Sequence, residues 1–245
     1  MVVASGGFSF DWGLVQPEVA KFTRICTYDA AGMAWSDPPP GKGRANCGDR
    51  VNELHQLLKN AGERGPFVLV GFSIGGLVAR LYAAEYPDEV AGMVIVDHAF
   101  INTPTQALRP AAMKGVDNPP VLISEAPIAL DMEDDANFAR LPERDQELHR
   151  WALSNSLRPT AEDAAECFDE VSRAEKFKFP LRNKPIAVVS TTYDSERYRA
   201  LQQQLLILSS NHVQLIAQNS THMVIIDQPE VVIEAIRKIV NDVRQ

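Results

Sequence analysis

The pattern of apolar and polar residues changes its period repeatedly along the chain. Short apolar runs rich in β-branched residues, such as residues 67–70 and 90–96, are typical of buried strands. Between them lie longer segments in which apolar residues recur every three or four positions, as expected of amphipathic helices. Strands that alternate with helices of this length predict βαβ units, and therefore an α/β fold with a mostly parallel sheet.

The alternation divides the chain into a core and an insertion. The predicted strands are residues 2–4, 24–28, 67–70, 90–96, 185–190 and 213–217, and the predicted helices include 13–22, 74–86, 195–208 and 229–243. Between residues 101 and 179 this alternation stops, and proline-rich pieces (102–110 and 118–127) lead into polar, helix-favouring segments. We therefore predict a core of residues 1–100 and 180–245, interrupted by a helical cap at 101–179.

One strand-to-helix junction reads Gly-x-Ser-x-Gly-Gly over residues 71–76. A buried strand that turns sharply into a helix holds the residue at the turn in a strained conformation, and the flanking glycines let the two elements approach closely. The Ser73 hydroxyl then stands exposed at the end of the sheet. The helix directs its N-terminal amides to the same place, so the Ile74 N–H is a candidate donor to a developing oxyanion. The pattern predicts Ser73 as a nucleophile.

Composition limits the classes of partner. The 245 residues are 45% apolar, which suffices for one domain with a full core. A formal net charge of -8 and a pI near 5.2 argue against a nucleic-acid or anionic-membrane surface, which needs clustered lysine and arginine. The sequence contains neither a recognisable signal peptide nor the roughly 18 consecutive apolar residues that span a bilayer. We expect no nucleic-acid partner and no membrane insertion.

The three cysteines, Cys26, Cys47 and Cys167, are an odd number without metal-ligand spacing. They predict neither a disulfide framework nor a zinc site. A reducing compartment follows as the simplest expectation, and with it a cytoplasmic location.

Beyond the Ser73 junction, four further motifs make the chain resemble the α/β-hydrolase family of serine esterases over essentially its whole length. These are Ser5-Gly6-Gly7, Tyr28-Asp29-Ala30-Ala31-Gly32 with Trp35-Ser36-Asp37, Tyr86-Pro87-Asp88-Glu89-Val90, and Thr221-His222 before Asp227-Gln228-Pro229-Glu230. Phe72 departs from the family, whose elbow more often carries His there, and so does Ser5, where His often precedes the glycine. The resemblance implies about six strands, helices on both faces of the sheet and a helical cap.

The resemblance also implies a catalytic triad in the order nucleophile, acid, histidine. His222, after the last strand, is the expected general base, since serine needs an imidazole to take its proton. The other histidines are interpreted as packing or surface residues: His55, His98, His149 and His212. The acid has two candidates at the two positions that the family uses, Asp97 and Asp194. Both stay open, with Asp97 preferred because esterases with the Tyr-Asp and Trp-Ser-Asp pattern are able to use the earlier position.

Backbone amides and aromatic side chains complete the predicted site. The oxyanion hole would combine the Ile74 N–H with one amide of the glycine turn, Gly7 first and Phe8 as the alternative. Phe72 and Trp12 are candidate walls of an acyl pocket, with ordinary core packing as the other interpretation.

The expected activity is hydrolysis of carboxylic esters with apolar, short to medium acyl groups through an acyl-enzyme, with a small-molecule substrate and neither metal nor organic cofactor. Serine instead of aspartate at the elbow argues against epoxide hydrolase and dehalogenase chemistry. Lactonase, thioesterase, carbon–carbon hydrolase and perhydrolase chemistry stay open within the fold. A ligand receptor that keeps the triad is the alternative from another class.

The family's sheet order of 1-2-4-3-5-6-7-8 implies that the strand before the glycine turn is its third. Two strands would then be missing, and the strand predicted at residues 24–28 would form an open edge. We expect either a homodimer that pairs through this edge or a shortened form of a longer parent.

Overall fold

The computed structural model describes residues 2–5, 7–39, 46–98, 132–157, 160–175, 181–192 and 196–245. Its strands are β1 (Val2–Ser5), β2 (Cys26–Thr27), β3 (Phe67–Phe72), β4 (Val90–Val96), β5 (Ile186–Thr191) and β6 (His212–Ala217). Its helices are α1 (Gln16–Ala20), α2 (Cys47–Asn60), α3 (Gly75–Glu85), α4 (Glu143–Asn155), α5 (Ala161–Glu175), α6 (Glu196–Gln204), α7 (Val224–Asp227) and α8 (Pro229–Val243). Asp194 and the proline-rich pieces lie outside the described residues.

The six strands form one parallel sheet in the order β2-β1-β3-β4-β5-β6. This order confirms the predicted α/β fold, with the strand before the glycine turn next to the nucleophile strand. β2 lies at the edge and pairs through only two residues with β1. Within the described residues no strand covers its outer side. A dimer through this edge stays a prediction.

Successive residues of the central strands bury their side chains in two different helical layers. Leu69 packs with α2, α3 and α5 on one face of the sheet, whereas its neighbours Val68 and Val70 pack with α1, α7 and α8 on the other. Because both faces are covered, β3 is apolar throughout, β5 is apolar up to Ser190 and Thr191, and both strands are buried along their whole length. The two helical layers hold the strands in place. The candidate site lies at the carboxyl ends of these strands.

Two predicted elements are shorter than expected. The predicted strand at 24–28 is reduced to Cys26–Thr27, because an edge strand has a partner on one side only. The predicted helix at 13–22 covers only Gln16–Ala20, and a separate 3₁₀ turn, Ser9–Trp12, precedes it. That turn begins after the glycine turn and is held by the Phe8 N–H, which donates to Asp11 Oδ2, and by the Asp11 N–H, which donates to the Phe8 carbonyl.

The expectation that the cysteines form no disulfide is wrong. Cys47 on α2 and Cys167 on α5 are joined by a disulfide, although 120 residues separate them in the chain. Helix α5 packs against α2 and α3 in the same cluster as the sheet, and the Gly48 N–H donates to Glu170 Oε2 at 2.8 Å beside the disulfide. Neither cysteine spacing nor an odd count reports such packing. The cysteine count therefore gives no further support for a reducing compartment.

Within the described ranges, none of the helices combines the length and apolar content needed to cross a membrane. The same residues contain no group of three or more His, Cys, Asp or Glu side chains arranged to hold a metal ion.

Candidate active site

Ser73 lies between the end of β3 at Phe72 and the start of α3 at Gly75, with a positive φ of 53°. Positive φ is rare for any residue with a Cβ, so the turn holds the serine backbone in a strained conformation. Gly71 makes the turn possible, since a Cβ there would lie 2.6 Å from both the Gly75 carbonyl oxygen and Gly76 Cα. The Ser73 N–H donates to the Val96 carbonyl at 3.0 Å and ties the turn to β4. The elbow predicted from the sequence is therefore present.

Strand register brings three predicted site segments together at the carboxyl ends of the parallel strands. Phe72 is paired with Ser5 on β1 and with Val96 on β4. The next residues along these strands are therefore neighbours: the glycine turn, Ser73 and Asp97. The carboxyl ends of parallel strands are where α/β proteins place their ligands.

His222 and Asp97 form a close pair at this edge. The distance from His222 Nδ1 to Asp97 Oδ2 is 2.5 Å, and the aspartate is fully buried whereas 28% of the histidine side chain is exposed. The His222 ring also stacks on the ring of Phe72, the residue before Ser73, with centroids 5.0 Å apart. An Nδ1 held by a carboxylate fixes the orientation of the imidazole and leaves Nε2 on the opposite side of the ring. Asp194, the other candidate acid, lies outside the described residues.

A buried glutamine that the sequence analysis missed contacts the same aspartate. Gln202 on α6 directs its Nε2 to Asp97 Oδ1 at 3.3 Å and to the His98 carbonyl at 3.2 Å. Its side chain is fully buried. Gln202 belongs to a run of three glutamines in a polar helix, so no sequence pattern distinguished it from its neighbours.

The turn that carries His222 is held by a second aspartate. Asp227 Oδ2 accepts the Thr221 N–H at 2.7 Å, and the Ser220 and Thr221 hydroxyls lie within 3.2 Å and 2.8 Å of it. Burial acts to raise the pKa of Asp227, but the hydrogen bonds from Thr221 and Asn137 outweigh it and lower that pKa. The Asp227 carboxylate thus stabilises the turn in its ionised form.

A second carboxyl group faces the same threonine. Asp135 Oδ2 lies 2.8 Å from Thr221 Oγ1. Burial, and then the negative charge of Asp227, raise the pKa of Asp135. The two carboxyl groups therefore shift in opposite directions, as expected of two acids that share one partner.

One of the two candidate oxyanion donors in the glycine turn has a described hydrogen-bond partner. The Phe8 N–H donates to Asp11 Oδ2 at 2.7 Å, so this amide is committed to a carboxylate. Gly7 stays the predicted donor beside Ile74, which immediately follows the strained serine. The helix of Ile74 begins its hydrogen bonding with the Gly76 N–H to the Ser73 carbonyl, and its positive dipole end points to the same edge.

The two predicted pocket residues are mostly enclosed. Trp12 has no exposed surface, and its ring meets Phe72 edge to face at 6.5 Å. Phe72 is 4% exposed and contacts His222. Their packing on the core is thus described, whereas their contact with an acyl group stays a prediction.

The remaining histidines lie in four separate surroundings. His55 pairs with Glu89, His98 with Arg80, His149 with Asp11, and His212 with the Ser209 carbonyl. None of these pairs includes Ser73. His222 is the histidine whose ring stacks on Phe72, the residue before Ser73.

The comparison with known families identifies the chain. Residues 5–195 match the family described by the alpha/beta hydrolase fold, and the protein belongs to that family. The structure is similar to that of a thermophilic esterase from Thermogutta terrifontis, with a TM-score of 0.72 and 21% identity, covering 100% of this chain and 90% of the other. Identity at this level supports the common fold alone.

Curated relatives are similar in sequence over different lengths. The uncharacterized protein YqjL of Bacillus subtilis is 26% identical over 93% of this chain and 77% of its own length. The lipase LipV of Mycobacterium tuberculosis is 51% identical over 20% of this chain and 18% of its own. Other relatives are much longer, and the matches cover only 14 to 16% of them.

Proposed function

We propose that the protein is a serine hydrolase that cleaves carboxylic esters through an acyl-enzyme. The observation that carries this proposal is the Ser73 elbow with the His222–Asp97 pair stacked beside it. A serine at its own pKa is a poor nucleophile, so a positioned imidazole is the group that makes it reactive. The similar esterase and lipase are consistent with this class of reaction.

In the first half of the reaction, Ser73 Oγ attacks the ester carbonyl carbon while His222 Nε2 takes the serine proton. The carbonyl oxygen becomes an oxyanion that the Ile74 and Gly7 amides stabilise. His222 then gives its proton to the leaving alcohol, and the carbon–oxygen bond to that alcohol breaks. The product of this half is an acyl ester on Ser73. Asp97 holds the imidazole and stabilises its positive charge throughout.

In the second half, water takes the place of the serine. His222 accepts a proton from the water as it attacks the acyl-enzyme, and returns that proton to Ser73 Oγ when the carboxylic acid leaves. Because the neutral imidazole is the base, kcat/KM should fall as the pH decreases and His222 becomes protonated. A flat profile between about pH 5 and pH 8 argues against a histidine base.

The test combines covalent labelling with kinetics. A fluorophosphonate probe should label the wild type at Ser73, and a series of p-nitrophenyl esters from acetate to decanoate should give the preferred acyl length. Ser73→Ala and His222→Ala should each reduce kcat by more than about 10⁴-fold, and the double variant should be no slower, since the two residues act as a unit. Ser154→Ala, which removes an exposed hydroxyl on α4, is the matched control and should be labelled normally. Labelling that survives Ser73→Ala would refute the proposal.

A further inference from the structure

A second buried histidine–carboxylate pair lies beside the glycine turn. His149 Nδ1 is 2.7 Å from Asp11 Oδ1, and both side chains are almost completely enclosed, at 5% and 1% exposure. His149 belongs to α4, whereas Asp11 lies in the 3₁₀ turn that follows the candidate oxyanion donors. The pair therefore joins two segments that are 138 residues apart.

The two oxygens of the Asp11 carboxylate have different partners. Oδ1 faces His149, and Oδ2 accepts the Phe8 N–H at 2.7 Å. The imidazole is itself fixed from two sides, because the rings of Phe8 and Phe138 meet it edge to face with centroids 5.4 Å away in both cases. The orientation of α4 is thereby transmitted through one carboxylate to the peptide bond between Gly7 and Phe8.

Two further carboxyl groups lie near Asp11. Asp29 accepts the Ser9 N–H at 2.8 Å, and Asp145 lies one helical turn before His149. Burial raises the pKa of both these carboxyl groups, and the nearby Asp11 charge adds to that rise. Beside these carboxyl groups, His149 on α4 provides a second partner for the Asp11 carboxylate, in addition to the Phe8 N–H.

Stability alone is a weak reason for such a pair. Burying two polar groups carries a large desolvation penalty, and apolar side chains of similar volume are often equally stable or better. In a hydrolase, the precise placement of backbone amides has a large effect on the rate, because losing one oxyanion donor lowers kcat by about 10²- to 10³-fold. The Phe8 amide that the pair holds is adjacent to Gly7. This position fits a role in placing backbone amides better than a role in stability.

We propose that Asp11 and His149 are positioning residues for the oxyanion hole: they hold the Phe8 N–H on the Asp11 carboxylate and so fix the glycine turn that carries the proposed Gly7 donor. This inference rests on the proposed function. Helix α4 thereby becomes part of the catalytic arrangement, since its displacement would release the turn. Neither residue touches the substrate, and their effect should appear in transition-state stabilisation while substrate binding is little changed.

The test uses substitutions that differ in where they present a donor. His149→Leu removes the donor and should lower kcat by about 10- to 100-fold with KM changed less than about 3-fold. His149→Asn places its amide nitrogen near the position of Nδ1 and should restore most of kcat. His149→Gln places its amide near Nε2 and should resemble His149→Leu. A trifluoromethyl ketone, which forms a tetrahedral adduct with the serine, should lose affinity in proportion to kcat.

His55→Leu is the matched control. It removes from α2 a histidine that pairs with a carboxylate, Glu89, away from the glycine turn. It should leave kcat and inhibitor affinity unchanged. Equal kcat in folded His149→Leu and the wild type would overturn the inference, and so would equal activities of His149→Asn and His149→Gln if the leucine variant fails to fold. Ser73→Ala measured in parallel separates the two ideas. Hydrolysis by that variant would refute the proposed function, whereas an inactive Ser73→Ala with unaffected His149 variants would refute only the positioning role.

Discussion

The two ends of the sheet each carry a histidine next to a carboxylate, and only one of them has the surroundings of a catalytic site. At the carboxyl end, His222 lies 2.5 Å from a fully buried Asp97. At the amino end, His55 lies 3.2 Å from Glu89, and 22% and 37% of these side chains are exposed. A cavity of about 680 Å³ opens beside the second pair, lined by residues around the starts of β3 and β4.

The two pairs differ in the groups that surround them. At the carboxyl end, a strained serine and the N-terminus of α3 lie beside the pair, so the proposed nucleophile and positively polarised amides are close to it. At the amino end, Glu89 accepts hydrogen bonds from both His55 and the Tyr82 hydroxyl, and the His55 ring lies flat on Tyr86 at 4.1 Å. A histidine–carboxylate pair thus indicates catalysis only when the chain also presents a nucleophile and amides, and a cavity alone does not.

Asp97→Asn tests the comparison with the largest expected effect. The amide cannot stabilise the imidazolium and favours the wrong tautomer of His222, so kcat should fall by about 10⁴-fold while the fold is kept. Steady-state kinetics on the preferred p-nitrophenyl ester measures kcat, and circular dichroism of the same samples shows whether the fold is kept.

Glu89→Gln is the equivalent substitution at the amino end and should leave kcat within about two-fold of the wild type, since Glu89 contacts no proposed catalytic group. A large loss in Asp194→Asn together with a small loss in Asp97→Asn would move the acid to the later position. Similar losses from Asp97→Asn and Glu89→Gln would remove the distinction between the two ends.

Gly71→Ala should have the next largest effect, on stability. The new Cβ would lie 2.6 Å from the backbone of the first turn of α3, and backbone cannot move aside as a flexible side chain can. We expect a loss of about 3 kcal/mol in the free energy of unfolding, measured in urea. Activity should fall as well, because the shift displaces Ser73.

Gly62, at the amino end, is the matched control. It has a φ of 70°, but a Cβ added there would meet no atom within 4 Å, so Gly62→Ala carries backbone strain without a clash. Its cost should be about 1 kcal/mol, with kcat unchanged. Equal costs at the two glycines would show that the close approach of β3 to α3 at Gly71 adds nothing beyond the cost of a strained but uncrowded position.

Local patterns with a strong backbone requirement were readable from the sequence. The elbow needs Gly71 and a positive φ at Ser73, and both the motif and the apolar run before it predict that turn. His222 and the strand order followed from the resemblance. Asp97 was preferred there without being decided, because a strand-end aspartate and a helix-capping aspartate look alike in one sequence.

Contacts between distant segments were not readable. Gln202 reaches Asp97 from a helix 105 residues later, and Cys47 meets Cys167 through the packing of α5 on α2. His149 was interpreted as a surface or packing residue, and nothing in the sequence links it to Asp11, which lies 138 residues away. Such pairs depend on how helices dock on the sheet, and neither periodicity nor spacing along the chain encodes that docking.

Asp227→Asn sharpens the description of the carboxyl end through its pH dependence. The hydrogen bonds from Thr221 hold the folded pKa of Asp227 below the ordinary value of 3.8, so its contribution is complete above that value and is lost as the pH falls through the lowered pKa. At pH 7 the substitution should cost about 2 kcal/mol of unfolding free energy, and at about pH 2 the difference from wild type should largely disappear. Urea unfolding at the two pH values measures both.

Asp135→Asn is the control, because the pKa of Asp135 is shifted in the opposite direction to that of Asp227. Burial and the Asp227 charge raise the folded pKa of Asp135, so its ionisation destabilises the fold at neutral pH. The amide should therefore cost less than Asp227→Asn at pH 7, and its difference from wild type should become less favourable as the pH falls. A pH-independent loss in Asp227→Asn would mean that packing, and not the ionised carboxylate, holds the His222 turn.

The smallest effect is expected for the pair at the amino end. His55 and Glu89 are both partly exposed, and their 3.2 Å contact lies in a high-dielectric surrounding where such pairs contribute about 0.2–1 kcal/mol. A double-mutant cycle with His55→Leu and Glu89→Gln should give a coupling free energy in that range, reduced further by 1 M salt. Because Tyr82 also donates to Glu89, the single Glu89→Gln variant should cost more than His55→Leu. A coupling above about 2 kcal/mol, or a change in ester hydrolysis in either variant, would mean that the amino-end pair does more than bridge two neighbouring elements, and the contrast with His222 and Asp97 would then need another basis.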